Sequence, residues 1–237
     1  MTAPQLYAHC GDRLPEGSRP YALNPDEQAR EASQSNPLRR DSYRLSRLLW
    51  RTGARAFCRS QSYPAVLEDQ LPANGNPCVP GQRFHSSLSH CRGLQVAVFH
   101  CSPIGVDAEP LARRAPWQRL AARWFTGVEQ QWLRDGTDPN DRFLLLWTLK
   151  EAWIKATQRG IASNLQALTL DLAENGPVLS VDEPDGRWRA FTGECSGVRV
   201  SVIAREPDAP QWFEVTTPGS DDCRLRDREW REWPLCN

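Results

Sequence analysis

The chain has 237 residues, 29 basic and 29 acidic side chains that cancel, and an isoelectric point near 6.9. That balance argues against a general nucleic-acid or membrane-surface binder, so any charged partner must be met by local patches. With 40% hydrophobic residues and ten tryptophans, the chain can build one large core or two small ones and is not expected to be disordered.

The first residues, MTAPQLYAHCGDRLPEG, lack a basic segment followed by an apolar run, and no apolar stretch is long enough for a membrane span. A cytoplasmic protein is therefore expected, with no membrane or nucleic-acid partner. Eight scattered cysteines without CxxC spacing read as reduced thiols. His85, His90, Cys91, His100 and Cys101 match no common zinc spacing, and strand alternation would send them to opposite faces.

In chain order, residues 1–36 are rich in Pro, Gly and polar side chains, with a helix start near Asn24-Pro25-Asp26. Leu38 to Phe57 has helical periodicity: Leu45, Leu48, Leu49 and Ala56 fall on one side, and Arg40, Arg44, Arg47, Arg51 and Arg55 on the other. That arginine stripe is either a solvated face or an anion-facing surface. After a Pro/Gly/Asn-rich connection, Ser89 and His90 are expected just before a strand. Leu94–Val98 and Ile104–Val106 alternate as strands do, around a Ser102-Pro103 turn. Two helical pieces follow, separated around Thr126-Gly127. Phe143 to Gln158 is the clearest helix, with a Leu145/Leu149/Ala152/Ala156 stripe and Gly160 as its stop. Five strand-like stretches between 165 and 217 read as a meander broken at Asn175-Gly176, Asp185-Gly186 and Gly193. Residues 218–237 read as an appended tail.

Three pieces carry chemistry. If Val106 to Glu109 is extended, Asp107 and Glu109 point to one side. Such a pair is a common exposed feature of turns, but it also suits a hard divalent cation such as Mg²⁺, which leaves positions open for phosphate. On the strongest helix, Glu151 and Lys155 stand at i, i+4, about 40° apart at roughly 100° per residue. An exposed ion pair is the plain alternative. Trp147 and Ile154 share that side, however, which suggests cover. Lys150 and Lys155 are also the only lysines of a chain that otherwise uses arginine. A lysine is a compact point charge suited to a single phosphoryl oxygen. Lastly, Ser89 and His90 supply a hydroxyl and an imidazole where an anion could be met.

SLSHC, GVDAEP, RWFTGVEQQWL and WTLKEAWIKA, in that order between residues 84 and 161, resemble the Sfp-type (surfactin-type) 4′-phosphopantetheinyl transferases. The resemblance implies an α+β fold of two similar, pseudo-twofold halves packed side by side, at 1–104 and 105–217, with the active site in the cleft between them. It implies transfer of the phosphopantetheine arm of coenzyme A to a serine of an apo acyl- or peptidyl-carrier protein, releasing 3′,5′-ADP, by a monomer. Asp107, Glu109 and Glu151 would bind Mg²⁺, or Mn²⁺ in its place. Glu151 would accept the serine proton, Lys155 would contact the pyrophosphate, Ser89 and His90 would hold coenzyme A phosphates, and Arg44 would meet the nucleotide phosphates. Arg113, Arg114, Arg119 and Arg123 form a candidate carrier-docking patch, and Lys150 is either structural or another carrier contact. The chain departs from the family pattern in having Asn76 where a lysine is common, Ser87 where an asparagine is common, and Gln158 where glycine is common. The rival readings are a Mg²⁺-dependent phosphohydrolase acting on a nucleotide diphosphate and a non-catalytic carrier-binding module.

Overall fold

The structure, a computed structural model, describes residues 3–13, 23–66, 71–74, 77, 81–159, 165–182, 187–205 and 207–236. Its elements begin with β1 (Gln5–Cys10), α1 (Pro25–Ala32), α2 (Pro37–Gln61), β2 (His85–Cys91) and β3 (Leu94–His100). There follow β4 (Ile104–Pro110), α3 (Trp117–Trp124), α4 (Gly127–Arg134), α5 (Pro139–Thr157), β5 (Leu168–Ala173) and β6 (Gly176–Val181). The chain closes with β7 (Trp188–Cys195), β8 (Val198–Arg205), β9 (Gln211–Val215), β10 (Cys223–Arg226), β11 (Arg231–Trp233) and β12 (Leu235–Cys236). Helices and mainly antiparallel strands make this an α+β protein. No helix among the described residues is long and apolar enough to cross a membrane.

The chain divides into two compact units, one of residues 2–102 with 210–228 and one of 103–209 with 229–237. The first break falls two residues from the expected 104/105 boundary. The rest of the expected division is corrected: β9, placed by sequence in the second half, pairs in parallel with β1 of the first unit. The expected tail is shared out as well, because β10 pairs with β9, β11 with β7 and β12 with β6. Short strands with unpaired edges gain backbone hydrogen bonds wherever a further strand can be added, and that is what these late segments supply.

In the first unit the sheet order is β10-β9-β1-β3-β2. Strand β1 was missed in the sequence because QLYAHC is buried at five consecutive positions and shows no alternation. Helix α2 starts at Asn36, whose side chain accepts the amides of Leu38 and Arg39, and ends at Ser62 in the left-handed region with φ 55°. It packs Leu49, Trp50 and Phe57 against Tyr7, Phe84 and Phe99. Gly53 permits the approach: a Cβ there would lie 2.4 Å from the Phe99 ring and 2.8 Å from that of Tyr7.

In the second unit α5 lies over a sheet of order β11-β7-β8-β4, and β12-β6-β5 forms a separate small sheet. The expected single meander is thus split between sheets. Gly193 lies inside β7, and the reversal into β8 is made by Ser196 and Gly197 with φ 51° and 73°, a pair of left-handed residues that matches the strand twist. Helix α5 begins four residues earlier than expected, capped by the Asp138 side chain on the Asp141 amide. Its end is set by Gln158 at φ 55°, ψ 24°. Gln158 therefore adopts the conformation glycine takes most readily. The expected stop at Gly160 and the Asp185-Gly186 turn lie outside the described residues. Phe143, Leu146, Leu149 and Trp153 of α5 join Trp188, Ile203 and Trp233 in the core.

Candidate active site

Strand β4 is an edge strand, and its alternation sets Gly105, Asp107 and Glu109 on one face. That face meets α5. A Cβ on Gly105 would fall 1.9 Å from the Ala152 carbonyl oxygen and 2.5 Å from the Ala156 amide nitrogen, so only glycine admits the helix backbone here. The backbone of α5 at Ala152 and Ala156 is thus the seam between helix and strand. One turn earlier, Thr148 Oγ1 lies 2.7 Å from Ser201 Oγ, the register partner of Asp107 on β8. This docking brings the helical pair to the acidic strand: Lys155 Nζ donates to Asp107 Oδ1 at 2.7 Å and to the Val106 carbonyl at 3.0 Å.

Glu151 is buried on the same side of α5, and Ile154 is buried while Trp147 is half-buried, so that side is covered as its sequence suggested. Burial raises the Glu151 carboxyl above its ordinary pKa; Asp107 raises it further, Lys155 opposes this, and Glu109 adds to the rise. Glu109 is raised as well, by burial first, against the lowering effect of Arg113 and with a further push from Asp107. The three carboxylates therefore feel one another. Their immediate positive contacts are side chains, with Lys155 on Asp107 and Arg113 Nη1 donating to Glu109 Oε1. Among the described residues no three His, Cys, Asp or Glu side chains form a ready metal-binding group. The donor set itself, carboxylates without thiol or imidazole, has the chemistry of a hard oxygen-ligated cation and not of zinc.

Lys150 does something else. Its ammonium is fully buried and donates to the carbonyls of Leu165 at 2.7 Å and Leu168 at 2.5 Å and to Glu129 at 2.8 Å, above the Phe125 ring. Three divergent acceptors suit the three donors of an ammonium, where a planar guanidinium would not fit. Burial lowers its pKa and Glu129 resists that shift. Lys150 is therefore structural, and its alternative as a carrier contact is excluded by its complete burial.

The residues expected by sequence to meet coenzyme A phosphates, Ser89, His90 and Arg44, belong to the first unit. Ser89 and His90 stand within β2 and not before a strand, opposite Val96 and Gln95. As neighbours on a strand they face opposite ways, Ser89 buried and His90 exposed, on the outermost strand of the sheet. Arg44 is half-exposed and ion-paired with Glu31 at 2.8 Å. Arg51 is buried against Glu27 at 2.5 Å, and Arg47 is buried 3.6 Å from the same carboxylate. The arginine stripe is therefore neither a solvated face nor an open anion surface at its centre. The signal was present in Asn24-x-x-Glu27, a capping box that turns Glu27 inward. Asn76 lies outside the described residues.

Sequence reading named Arg113 only as part of a docking patch and overlooked Asn140. The Asn140 side chain accepts the Ala115 amide at 3.2 Å and donates to the Arg113 carbonyl at 2.9 Å. An asparagine in the first turn of a helix gave no pattern that could announce this.

Comparison with known proteins bears on the same segment. Residues 103–203 match the 4'-phosphopantetheinyl transferase superfamily. The 4'-phosphopantetheinyl transferase ffp of Bacillus subtilis is 32% identical over 143 residues, covering 58% of this chain and 62% of the relative. The transferase Sfp of Bacillus subtilis strain 168 is 30% identical over 146 residues, covering 58% and 62%. The transferase psf-1 of Bacillus pumilus is 31% identical over 156 residues, covering 62% and 65%. The chain thus spans somewhat under two thirds of the length of these relatives. The acidic strand and the Glu–Lys helix both lie inside the segment that matches the 4'-phosphopantetheinyl transferase superfamily, and over that segment the chain is similar to Sfp-type enzymes.

Proposed function

We propose that the protein transfers the 4′-phosphopantetheine arm of coenzyme A to a serine hydroxyl of an acyl- or peptidyl-carrier protein and releases 3′,5′-ADP. The observation that carries this reading is the docking of α5 on β4 through Gly105, which sets Lys155 on Asp107 beside the buried Glu151. The relatives' names and the superfamily match support it.

Asp107, Glu109 and Glu151 would hold Mg²⁺, or Mn²⁺ in its place. Such a cation, when bound, supplies positive charge to diphosphate oxygens. The chain's own groups do the rest. Glu151, next to the point where α5 crosses β4, accepts the proton of the attacking serine, directly or through water. Lys155 is one helical turn further on. Its ammonium offsets charge on the departing phosphate, a role a compact point charge fills well. Side-chain cover around Glu151 and Ile154 limits water, which favours the hydroxyl of a carrier over hydrolysis. Ser89, His90 and Arg44 are assigned to coenzyme A phosphates by resemblance, with Arg44 released from Glu31 when it does so. Eight cysteines scattered without CxxC spacing suit a reducing compartment, so we place the reaction in the cytoplasm. The groups that act on the diphosphate and the hydroxyl come from one chain, and a monomer suffices.

The test is to incubate the protein with coenzyme A, Mg²⁺ and an apo carrier protein and to weigh the carrier. A mass gain equal to one phosphopantetheine supports transfer. Release of 3′,5′-ADP without that gain supports hydrolysis, and neither product supports a binding module.

A further inference from the structure

We propose that Arg113 sets the balance of this site between cation and diphosphate, acting as a fixed counter-charge for Glu109. The inference rests on the reading above, in which Glu109 is a ligand of a divalent cation. Arg113 follows Glu109 by four residues, and its Nη1 donates to Glu109 Oε1. Both side chains are partly covered, at 37% and 17% exposure.

The contact is held from the backbone. The Arg113 amide donates to the Pro110 carbonyl at 2.9 Å. Its carbonyl accepts from Asn140 Nδ2 at 2.9 Å, and Asn140 Oδ1 accepts the Ala115 amide at 3.2 Å. Asn140 is buried in the first turn of α5. The helix that carries Glu151 and Lys155 therefore also anchors the loop that carries Arg113. Arg199, across from Glu109 on β8, is already engaged by Asp141 and Glu194.

The formal charges give the consequence. Asp107, Glu109 and Glu151 against Lys155 and Arg113 leave one negative charge in excess. Without Arg113 the excess is two, which draws a divalent cation more strongly and repels a diphosphate more strongly. Arg113 thus weakens binding of the bare cation and strengthens binding of the anionic substrate. A merely structural arginine would, on removal, weaken both.

The experiment titrates Mn²⁺, read from the spin-resonance signal of the free ion, and then coenzyme A by calorimetry at saturating Mn²⁺. It compares the unaltered chain with Arg113→Gln, Arg113→Met and Arg113→Lys. The two neutral variants should bind Mn²⁺ about two- to fivefold more tightly, the scale of a partly exposed ion pair. They should bind coenzyme A more weakly by a similar factor, and both effects should shrink as salt is added. Arg113→Lys should stay near the unaltered protein. Weaker or unchanged Mn²⁺ binding in both neutral variants overturns the proposal, as does movement of both affinities in one direction. If the unaltered chain binds no Mn²⁺, the metal-site reading fails and this one with it. Mn²⁺ binding that is lost in Asp107→Asn but unmoved in Arg113→Gln overturns the role of Arg113 alone.

Discussion

The two units use one set of parts in two ways. Each caps a short helix with a capping box, Asn24 with Glu27 on α1 and Thr126 with Glu129 on α4, and each buries that glutamate completely. Each buried glutamate meets a cation of the unit's long helix, Arg51 on α2 and Lys150 on α5. Both long helices end in a left-handed residue, Ser62 and Gln158, and each crosses its sheet at a glycine. The glycines differ in place. Gly53 is on the helix, and the space it leaves is filled by the rings of Phe99 and Tyr7. Gly105 is on the strand, and the helix backbone itself occupies the gap. The first arrangement makes an apolar seam. The second draws backbones together so closely that the flanking side chains, Asp107, Glu151 and Lys155, must meet at its edge. Where the glycine sits decides whether the crossing is core or site.

The largest effects should come from the buried cations. Lys150→Met leaves Glu129 charged and unpaired in the core and should cost about 3–5 kcal/mol in denaturant unfolding, with Arg51→Met costing a comparable amount in the other unit. A loss well under that in either variant would mean that the two nests are not equivalent. Next come the glycines. Gly105→Ala drives a methyl group into the backbone of α5 and should cost about 3 kcal/mol or more while abolishing transfer. Gly53→Ala meets side-chain rings and not backbone, and should cost about 1–3 kcal/mol with transfer largely kept. Equal losses would remove the distinction drawn between the two crossings.

Glu151→Gln should reduce transfer at least about a hundredfold with the unfolding midpoint hardly moved. Near-normal turnover would refute its role as proton acceptor. The smallest effect is expected of Lys155→Arg, which keeps the charge but replaces a compact ammonium by a planar fork. Roughly tenfold slower transfer is expected, visible in turnover more than in coenzyme A affinity. Full activity would show that charge alone is needed there.

Much of the site was legible because its signals are local. Strand alternation placed Asp107 with Glu109, and helical spacing placed Glu151 with Lys155. The sequence also showed that Trp147 and Ile154 share the Lys155 side of the helix. What stayed hidden was the partner of each group. Arg113 looked like one more surface arginine, yet it lies on Glu109 because Asn140, far along the chain, holds its backbone. Lys150 looked like a twin of Lys155, yet its neighbours are Glu129 and two carbonyls from beyond the helix. The stripe on α2 looked uniform, yet Glu27 withdraws its middle from solvent. Strand β1 showed no alternation because both of its faces are covered.

The order of residues alone therefore determined which side chains share a face, where the long helices lie, and that one helix carries a carboxylate and an ammonium a turn apart. Periodicity along a chain reports a local geometry of 3.6 or 2 residues, and nothing more is needed for that. Only the tertiary structure decided that α5 crosses β4 at Gly105, that β9 to β12 complete three different sheets, and that one lysine serves the core while the other serves the acidic strand. Those outcomes depend on shape and charge complementarity between segments dozens of residues apart, to which no local pattern is sensitive.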